Sequence, residues 1–354
     1  MTLREKIHWH YKNTPWFRRL VRRFKDQTLS GLARFGLALI RALPFDVAMR
    51  LAPRAGALIY RCMPELRELA DRHLQIAFGT DFPRAERERI ARESLVNAAR
   101  MMVEIAHMDW LRPRLDEYVT LVGTEVVEEF RRRGSGAIVV TGHFGNWEIM
   151  AAYFARQGFD IAAVARRFYV DRINQMLMDF RTANGVEVIL RDDTRNSARQ
   201  LLSILKRGGI LAMIVDQDTH AQSLSIPFFG RPARTPVAPV ALALRRNLPL
   251  TAAFIERLPE GGHRITVDPL FDLPRSGDAM QDLRSGLEIM SRRIEEQVRR
   301  CPEQWMWWHK RWEHPPVAHL DLDGKFQYTE RQSASPPGAT ERDIDEAGGR
   351  SAGT

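Results

Sequence analysis

Between residues 134 and 270 the chain alternates short apolar runs with longer amphipathic stretches. GAIVVTG, DIAAVAR, VEVIL, ILAMIVDQD and LPLTAAFIERL are compact runs rich in Val, Ile, Leu and Ala, the pattern of buried strands. NWEIMAAYFARQG, SARQLLSILKRGG and PVAPVALALRRN repeat apolar residues three and four apart, as helices with one buried face do. This alternation predicts an α/β core, a central mixed sheet flanked by helices. HRITVDPL reads as one more strand, and LRSGLEIMSRRIEEQVRRC as a helix that runs into the tryptophan-rich PEQWMWWHKRW.

The first third has a different texture. Residues 64–110 keep helical spacing throughout (ELRELADRHLQIAF, then RERIARESLVNAARMMVEIAHMDWL), so an all-helical portion precedes the sheet. Residues 28–60 are rich in Leu, Ala and Ile but are broken by Arg34, Arg41, Pro44, Asp46, Arg50, Pro53 and Arg54. No run approaches the ~20 apolar residues of a spanning helix. Two readings remain for this segment: helices lying in a membrane interface with arginines reaching toward headgroups, or an amphipathic helix on the protein's own core.

Charge sharpens the first of these. The chain of 354 residues carries a formal net charge of +9 with a pI near 10.0, which calls for an anionic partner. Residues 1–25 hold Arg4, Lys6, Lys12, Arg18, Arg19, Arg22, Arg23 and Lys25 against the single acid Glu5, interleaved with Trp9, Trp16 and Phe17. Basic and aromatic residues mixed in this way suit an anionic membrane surface, and suit a solvated basic arm as well. Nucleic acid would also answer the charge, but no helix-turn-helix, zinc-finger or ribonucleoprotein signature is present. Cys62 and Cys301 stand alone, without metal-binding spacing, and imply a reduced, cytosol-facing protein. No signal peptide is evident. After residue 329 the composition turns to Ser, Pro, Gly and charge, which predicts a disordered tail. The expected partition is residues 1–63 as a basic and apolar membrane-associating segment, 64–329 as the main domain, and 330–354 as the tail.

Candidate chemistry gathers where predicted strands end. GAIVVTGHFGNWE places His143 at a glycine-bearing strand end and Glu148 just inside the next helix. Ligands and catalytic groups collect at such turns in α/β sheets. His143 suits a general base, with Glu148 taking its other N–H. Five residues along a continuous helix would set the two about 140° apart, so a turn must intervene; Gly142 and Gly145 permit it and Asn146 is available as the helix cap. Arg166, after the following strand, points to phosphate or a developing oxyanion, a role that backbone N–H groups near Gly145 fill equally well. VDQDTH adds Asp216, Gln217, Asp218 and His220 at another strand end. Two alternate carboxylates without a third ligand argue for an Arg partner or a hydrogen-bond network rather than a metal. The cluster Trp305, Trp307, Trp308 and Trp312, with Lys310 and Arg311, fits a membrane belt or core packing at a domain edge.

Taken together these segments resemble the late acyltransferases of lipid A synthesis, the lauroyl and myristoyl transferase branch of the lysophospholipid acyltransferase-like superfamily. The likeness runs from about residue 65 to residue 315. It rests on TGHFGNWE with its His-x4-acid spacing, Ala165-Arg166, Asp216-Gln217-Asp218, IPFFGRPARTPVAPVALALR, PEQWMWWHKRW, and ADRHLQIAF with Glu104 beyond it. Where family members usually carry Pro after the Arg, this chain has Arg167. The resemblance implies a glycerol-3-phosphate acyltransferase-like fold at the cytoplasmic face of the bacterial inner membrane. It implies transfer from an acyl carrier protein or CoA thioester to a hydroxyl of a lipid A precursor, or of another anionic glycolipid or phospholipid. His143 and Glu148 would be the catalytic pair, Gly145, Asn146, Arg166, Asp216 and Asp218 would serve substrate or oxyanion, and no metal or redox cofactor is implied.

Overall fold

A computed structural model describes residues 15–313 apart from Phe168, Tyr169, Asp192, Asp193, Thr219 and His220. The tail expected at 330–354, most of the basic segment at 1–25 and His220 therefore lie outside the described residues or side chains. Four helices come first, α1 (Pro15–Arg41), α2 (Phe45–Cys62), α3 (Pro64–Phe78) and α4 (Arg84–Ala106). The break between α1 and α2 falls at Pro44, where the fixed proline φ starts the next helix. Pro53, in contrast, sits inside α2. Ala48, Ala52 and Val103 make a small core between α2 and α4, and Gly56 brings the two backbones so close that a Cβ there would meet the Val96 backbone at 2.5 Å.

Next come β1 (Val119–Val122), α5 (Thr124–Arg133), β2 (Ala137–Thr141), α6 (Trp147–Arg156), β3 (Ile161–Ala165), α7 (Asp171–Ala183), β4 (Val186–Leu190), α8 (Thr194–Lys206) and β5 (Ile210–Ile214). A hairpin of β6 (Ser223–Phe228) and β7 (Arg231–Pro236) leads to α9 (Ala238–Arg246), β8 (Leu250–Arg257), β9 (His263–Val267) and α10 (Ala279–Arg300). The seven-stranded sheet has the order β1-β9-β8-β2-β5-β3-β4, parallel except between β8 and β9. This is the expected mixed α/β architecture. Its central strands are apolar on both faces because helices cover both. One core (Ile138, Val140, Leu211, Met290, Trp305) lies on one side and a second (Ile149, Ile161, Ile210, Ile255, Ile265) on the other.

The strands at 137–141, 161–165, 186–190, 210–214, 250–257 and 263–267 and the helix from Trp147 match the sequence pattern. The edge strand β1, with α5 after it, and the β6–β7 hairpin do not stand out in that pattern. β1 is four residues long, with Thr120 and Val122 exposed, and β7 (RPARTP) is rich in Pro and Arg and has no hydrophobic period, whereas β6 (SLSIPF) does alternate Leu224, Ile226 and Phe228 but over six residues only. Among the described residues no helix is long and apolar enough to cross a membrane.

Candidate active site

β2 and β5 are parallel neighbours, with Thr141 opposite Ile214 at their carboxyl ends. Two residues beyond each of those positions stand His143 and Asp216, so the register itself delivers the imidazole to the carboxylate. His143 Nδ1 lies 2.7 Å from Asp216 Oδ1, and the His143 backbone N–H donates to Oδ2 at 2.6 Å. The Trp305 indole donates to the same Oδ2 at 2.7 Å. Gly142 is required here, since a Cβ would come 2.7 Å from that oxygen. Burial alone would favour the neutral acid at Asp216, but the facing His143 imidazole and the Trp305 donor outweigh it and hold the carboxyl well below the usual range. An ionised Asp216 accepts a hydrogen bond from Nδ1–H and leaves the His143 Nε2 lone pair turned outward, the tautomer a general base needs.

Glu148 is therefore not the orienting acid that spacing suggested. It sits in the first turn of α6, where the helix dipole favours a carboxylate. Arg181 of α7 grips it, with Nη2 2.6 Å from Oε1 and Nε 3.0 Å from Oε2, and the Trp147 indole donates to Oε1 at 3.1 Å. Nothing in the local sequence links Glu148 to Arg181; only the packing of α7 beside α6 does.

The turn between His143 and α6 is structural throughout. Gly145 has φ +52° and its N–H donates to the Gln304 carbonyl at 3.1 Å, so this amide is not the oxyanion donor expected of it. A Cβ at Gly145 would clash with the Ile255 carbonyl oxygen, and Gly145→Ala is expected to lower the melting temperature by several degrees, measurable by circular dichroism. Asn146 caps α6 as expected, its Oδ1 accepting from Ile149 N–H at 3.2 Å. Its Nδ2 turns inward to Glu104 at 2.9 Å, so Asn146 serves the frame rather than substrate. Glu104 is fully buried and also receives Arg257 (2.5 and 2.7 Å), Tyr118 (2.8 Å) and His263 (2.9 Å). Burial opposes its charge, but the contacts from His263 and the Arg257 guanidinium outweigh it and hold the carboxyl well below the usual range.

On the other flank, residues 304–306 are stitched to the same turn. Phe144 bridges Trp305, and Met306 N–H donates to the His143 carbonyl at 3.2 Å. Trp305 and Trp307 are buried in the core, which decides the tryptophan cluster in favour of packing. The segment also delivers His309, whose ring centroid is 4.4 Å from that of His143. Gln217 lies between them, its amide nitrogen 3.0 Å from His143 Nε2 and 2.6 Å from His309 Nδ1. Desolvation, reinforced by the His143 imidazole, brings the His309 pKa down to about 3, so that ring is neutral.

His143 opens onto a cavity of ≈ 880 Å³ walled mainly by apolar side chains, including Met101, Met102, Phe130, Phe154, Leu177 and Leu201. Glu148, Arg166, Arg181 and Asp218 reach the same wall. Of the residues singled out in the sequence, His143, Glu148, Arg166 and Asp218 thus meet at the cavity, Asp216 stands behind His143, and Gly145 and Asn146 shape the turn. The sequence also offered His309 and Trp305 inside WMWWHK, although a local pattern gives no sign that one reaches the base and the other its carboxylate. Among the described residues no group of three or more His, Cys, Asp or Glu side chains is arranged to hold a metal ion.

Comparison with known proteins identifies the family. The chain is 24% identical over 299 residues to a lipid A biosynthesis palmitoleoyltransferase of Escherichia coli K12, covering 82% of this chain and 94% of that protein. It is 23% identical over 285 residues to the lipid A biosynthesis lauroyltransferase of the same organism, covering 79% and 90%. A phosphatidylinositol mannoside acyltransferase of Mycobacterium tuberculosis is 25% identical over 221 residues, covering 61% and 68%. The family described as bacterial lipid A biosynthesis acyltransferase matches residues 21–314. With an acyl-transfer family matching across most of its length, this chain is an acyltransferase that belongs to the bacterial lipid A biosynthesis acyltransferase family.

Proposed function

We propose that the protein moves a fatty acyl group from a thioester, on acyl carrier protein or CoA, to a hydroxyl of a lipid A precursor, with His143 as the general base. The observation that carries this reading is the His143–Asp216 pair, with its outward Nε2, at the mouth of a largely apolar cavity. The cavity takes the acyl chain. The acceptor hydroxyl gives its proton to His143 Nε2 as its oxygen attacks the thioester carbonyl, and the protonated imidazole then returns that proton to the departing thiolate. Asp216 fixes the tautomer and stabilises the imidazolium. Glu148 keeps the Arg181 guanidinium in the cavity wall, so it is a positioning residue in this scheme.

The reaction takes place at a membrane surface, and the cytoplasmic face of the bacterial inner membrane is the side where both thioesters are available. Leu29, Leu32, Phe35 and Leu39 are exposed along one side of α1, and Leu58 and Ile59 are exposed on α2. Met102 of α4 is exposed as well and also lines the cavity, so an acyl chain has an apolar route from this surface inward. A net charge of +9 suits the acidic carrier and the anionic glycolipid alike.

A second acceptor class, another membrane lipid such as a mannosylated phosphoinositide, is favoured by the mycobacterial relative. The test is transfer of labelled acyl groups from each thioester to purified lipid A precursor and to phosphoinositide acceptors, with His143→Ala alongside. Product that forms with wild type and not with His143→Ala is the expected result, and the productive pair names donor and acceptor. Equal turnover by His143→Ala would end the general-base assignment.

A further inference from the structure

A thioester carbonyl under attack develops a negative oxygen, and that oxygen needs donors already aimed at it. The three backbone amides nearest the imidazole are all engaged: His143 N–H on Asp216, Phe144 N–H on the Gly142 carbonyl at 2.8 Å, and Gly145 N–H on Gln304. The donor must come from elsewhere, and an amide side chain stands at the reacting position. Since Nδ1–H of His143 donates a hydrogen bond to the ionised Asp216, Nε2 is a bare lone pair, and the Gln217 nitrogen 3.0 Å away is the donor in that contact. The second N–H of the same amide faces the His309 ring, the nitrogen lying 2.6 Å from Nδ1 and 3.1 Å from Nε2. Arg311, buried and stacked over Phe228, donates to the main-chain carbonyls of Gln217, at 3.5 Å, and of Arg234, and so holds the backbone that carries this side chain. Gln217 itself is exposed toward the cavity mouth.

We propose that the Gln217 side-chain amide is the oxyanion donor of this site, and that His309 positions it by accepting its other N–H. The inference rests on the acyl-transfer reading above. In the resting protein the amide donates to Nε2. When the acceptor hydroxyl takes that place its O–H bonds to Nε2, and the released Gln217 N–H turns to the carbonyl oxygen held alongside. As the new C–O bond forms, the hydroxyl proton passes to Nε2 and the carbonyl electron pair moves onto the oxygen facing Gln217. Collapse of the tetrahedral centre re-forms the carbonyl and breaks the C–S bond, and the thiolate leaves with the proton from Nε2. His309 fits its part because it is neutral and therefore able to accept.

The experiment measures kcat and KM for the acyl thioester with wild type, Gln217→Ala, Arg166→Ala, His309→Leu and His309→Asn. It also measures the affinity of a long-chain alkyl trifluoromethyl ketone, whose hydrate carries a tetrahedral centre, against that of the matching alcohol. Gln217→Ala is expected to lose about 10²-fold in kcat with little change in KM, and to weaken the ketone far more than the alcohol. His309→Leu should follow it. His309→Asn, which keeps an acceptor at the Nδ1 position, should recover most of the activity, and the double variant Gln217→Ala/His309→Leu should be no worse than Gln217→Ala alone. Wild-type kcat in Gln217→Ala, equal loss of ketone and alcohol affinity, or a kcat loss seen only in Arg166→Ala would overturn the assignment. If wild type transfers and His143→Ala does not while Gln217→Ala is unimpaired, this inference alone falls. If wild type transfers to no acceptor, both fall.

Discussion

Asp216→Asn is expected to lower kcat by about 10³- to 10⁴-fold while leaving the protein folded, the magnitude that follows when a catalytic imidazole is forced into the wrong tautomer. Every group facing Asp216 is a donor: His143 Nδ1, the His143 backbone N–H and the Trp305 indole. An asparagine has one acceptor oxygen to offer them. Placing it at the Oδ2 position keeps two of the three bonds and turns the NH2 group toward Nδ1. The imidazole then gives up its Nδ1 proton and carries one on Nε2, where the lone pair was needed. The readouts are steady-state kinetics, a thermal melt and the 15N shifts of labelled histidine, which report the tautomer directly. Glu148→Gln separates the two carboxylates, because its effect travels through Arg181 and the His143 tautomer stays as in wild type. A kcat within tenfold of wild type for Asp216→Asn, with the tautomer unchanged, would return the orienting role to another group.

Glu104→Gln is expected to be the most destabilising single substitution at the frame of the site. It leaves the Arg257 guanidinium buried beside a neutral amide, and a buried ion pair broken on one side typically costs about 3–5 kcal/mol. That corresponds to a fall in melting temperature on the order of 10 °C for a domain of this size. The loss reaches the active site through Asn146, which ties Glu104 to the start of α6. A melt within a degree or two of wild type would show the network to be neutral.

Acid pH attacks the same frame, and its sign can be worked out from the buried groups. The folded pKa of Glu104 is depressed, so its contribution is complete above the unfolded value near 4.3 and is lost as pH falls through the folded value. His73 and His309 are brought down to about 4 and about 3, mainly by burial. From about pH 6.5 downward the unfolded chain takes protons that the folded one refuses at those two rings, so stability falls there first. Melting temperature should decline steadily from pH 7 to pH 4, and replacing His73 by a residue that does not titrate should flatten the upper part of that slope.

The elements were largely legible in the sequence because the physics that makes them is local. A run such as AIVVT declares a buried strand, and glycine at 142 and 145 declares a turn, through side-chain volume and backbone freedom alone. The same holds for the candidate residues, since strand ends gather them: His143, Arg166 and the Asp216-Gln217-Asp218 run all lie where a strand stops. The edge strand β1 and strand β7 escaped because a short, exposed strand and a proline-rich one have no period to read, while β6 alternates Leu224, Ile226 and Phe228 over too short a stretch to stand out.

The partnerships among those residues were not legible. Glu148 is five residues from His143 and Asp216 is seventy-three away, so spacing favours the wrong carboxylate. Which acid meets the imidazole depends on β5, rather than β3, lying against β2, and on a register that puts Thr141 opposite Ile214. The same ordering gives Glu148 to Arg181 and brings His309 to Gln217 across ninety-two residues. The sequence by itself determined an α/β core with a candidate histidine at the end of β2, because hydrophobic period and turn chemistry act over a few residues, while acyl transfer was legible only through the family resemblance of several ordered motifs. Only the tertiary structure decided that Asp216 meets His143, because strand order is set by how all the buried faces pack at once, and no short stretch of chain contains that information.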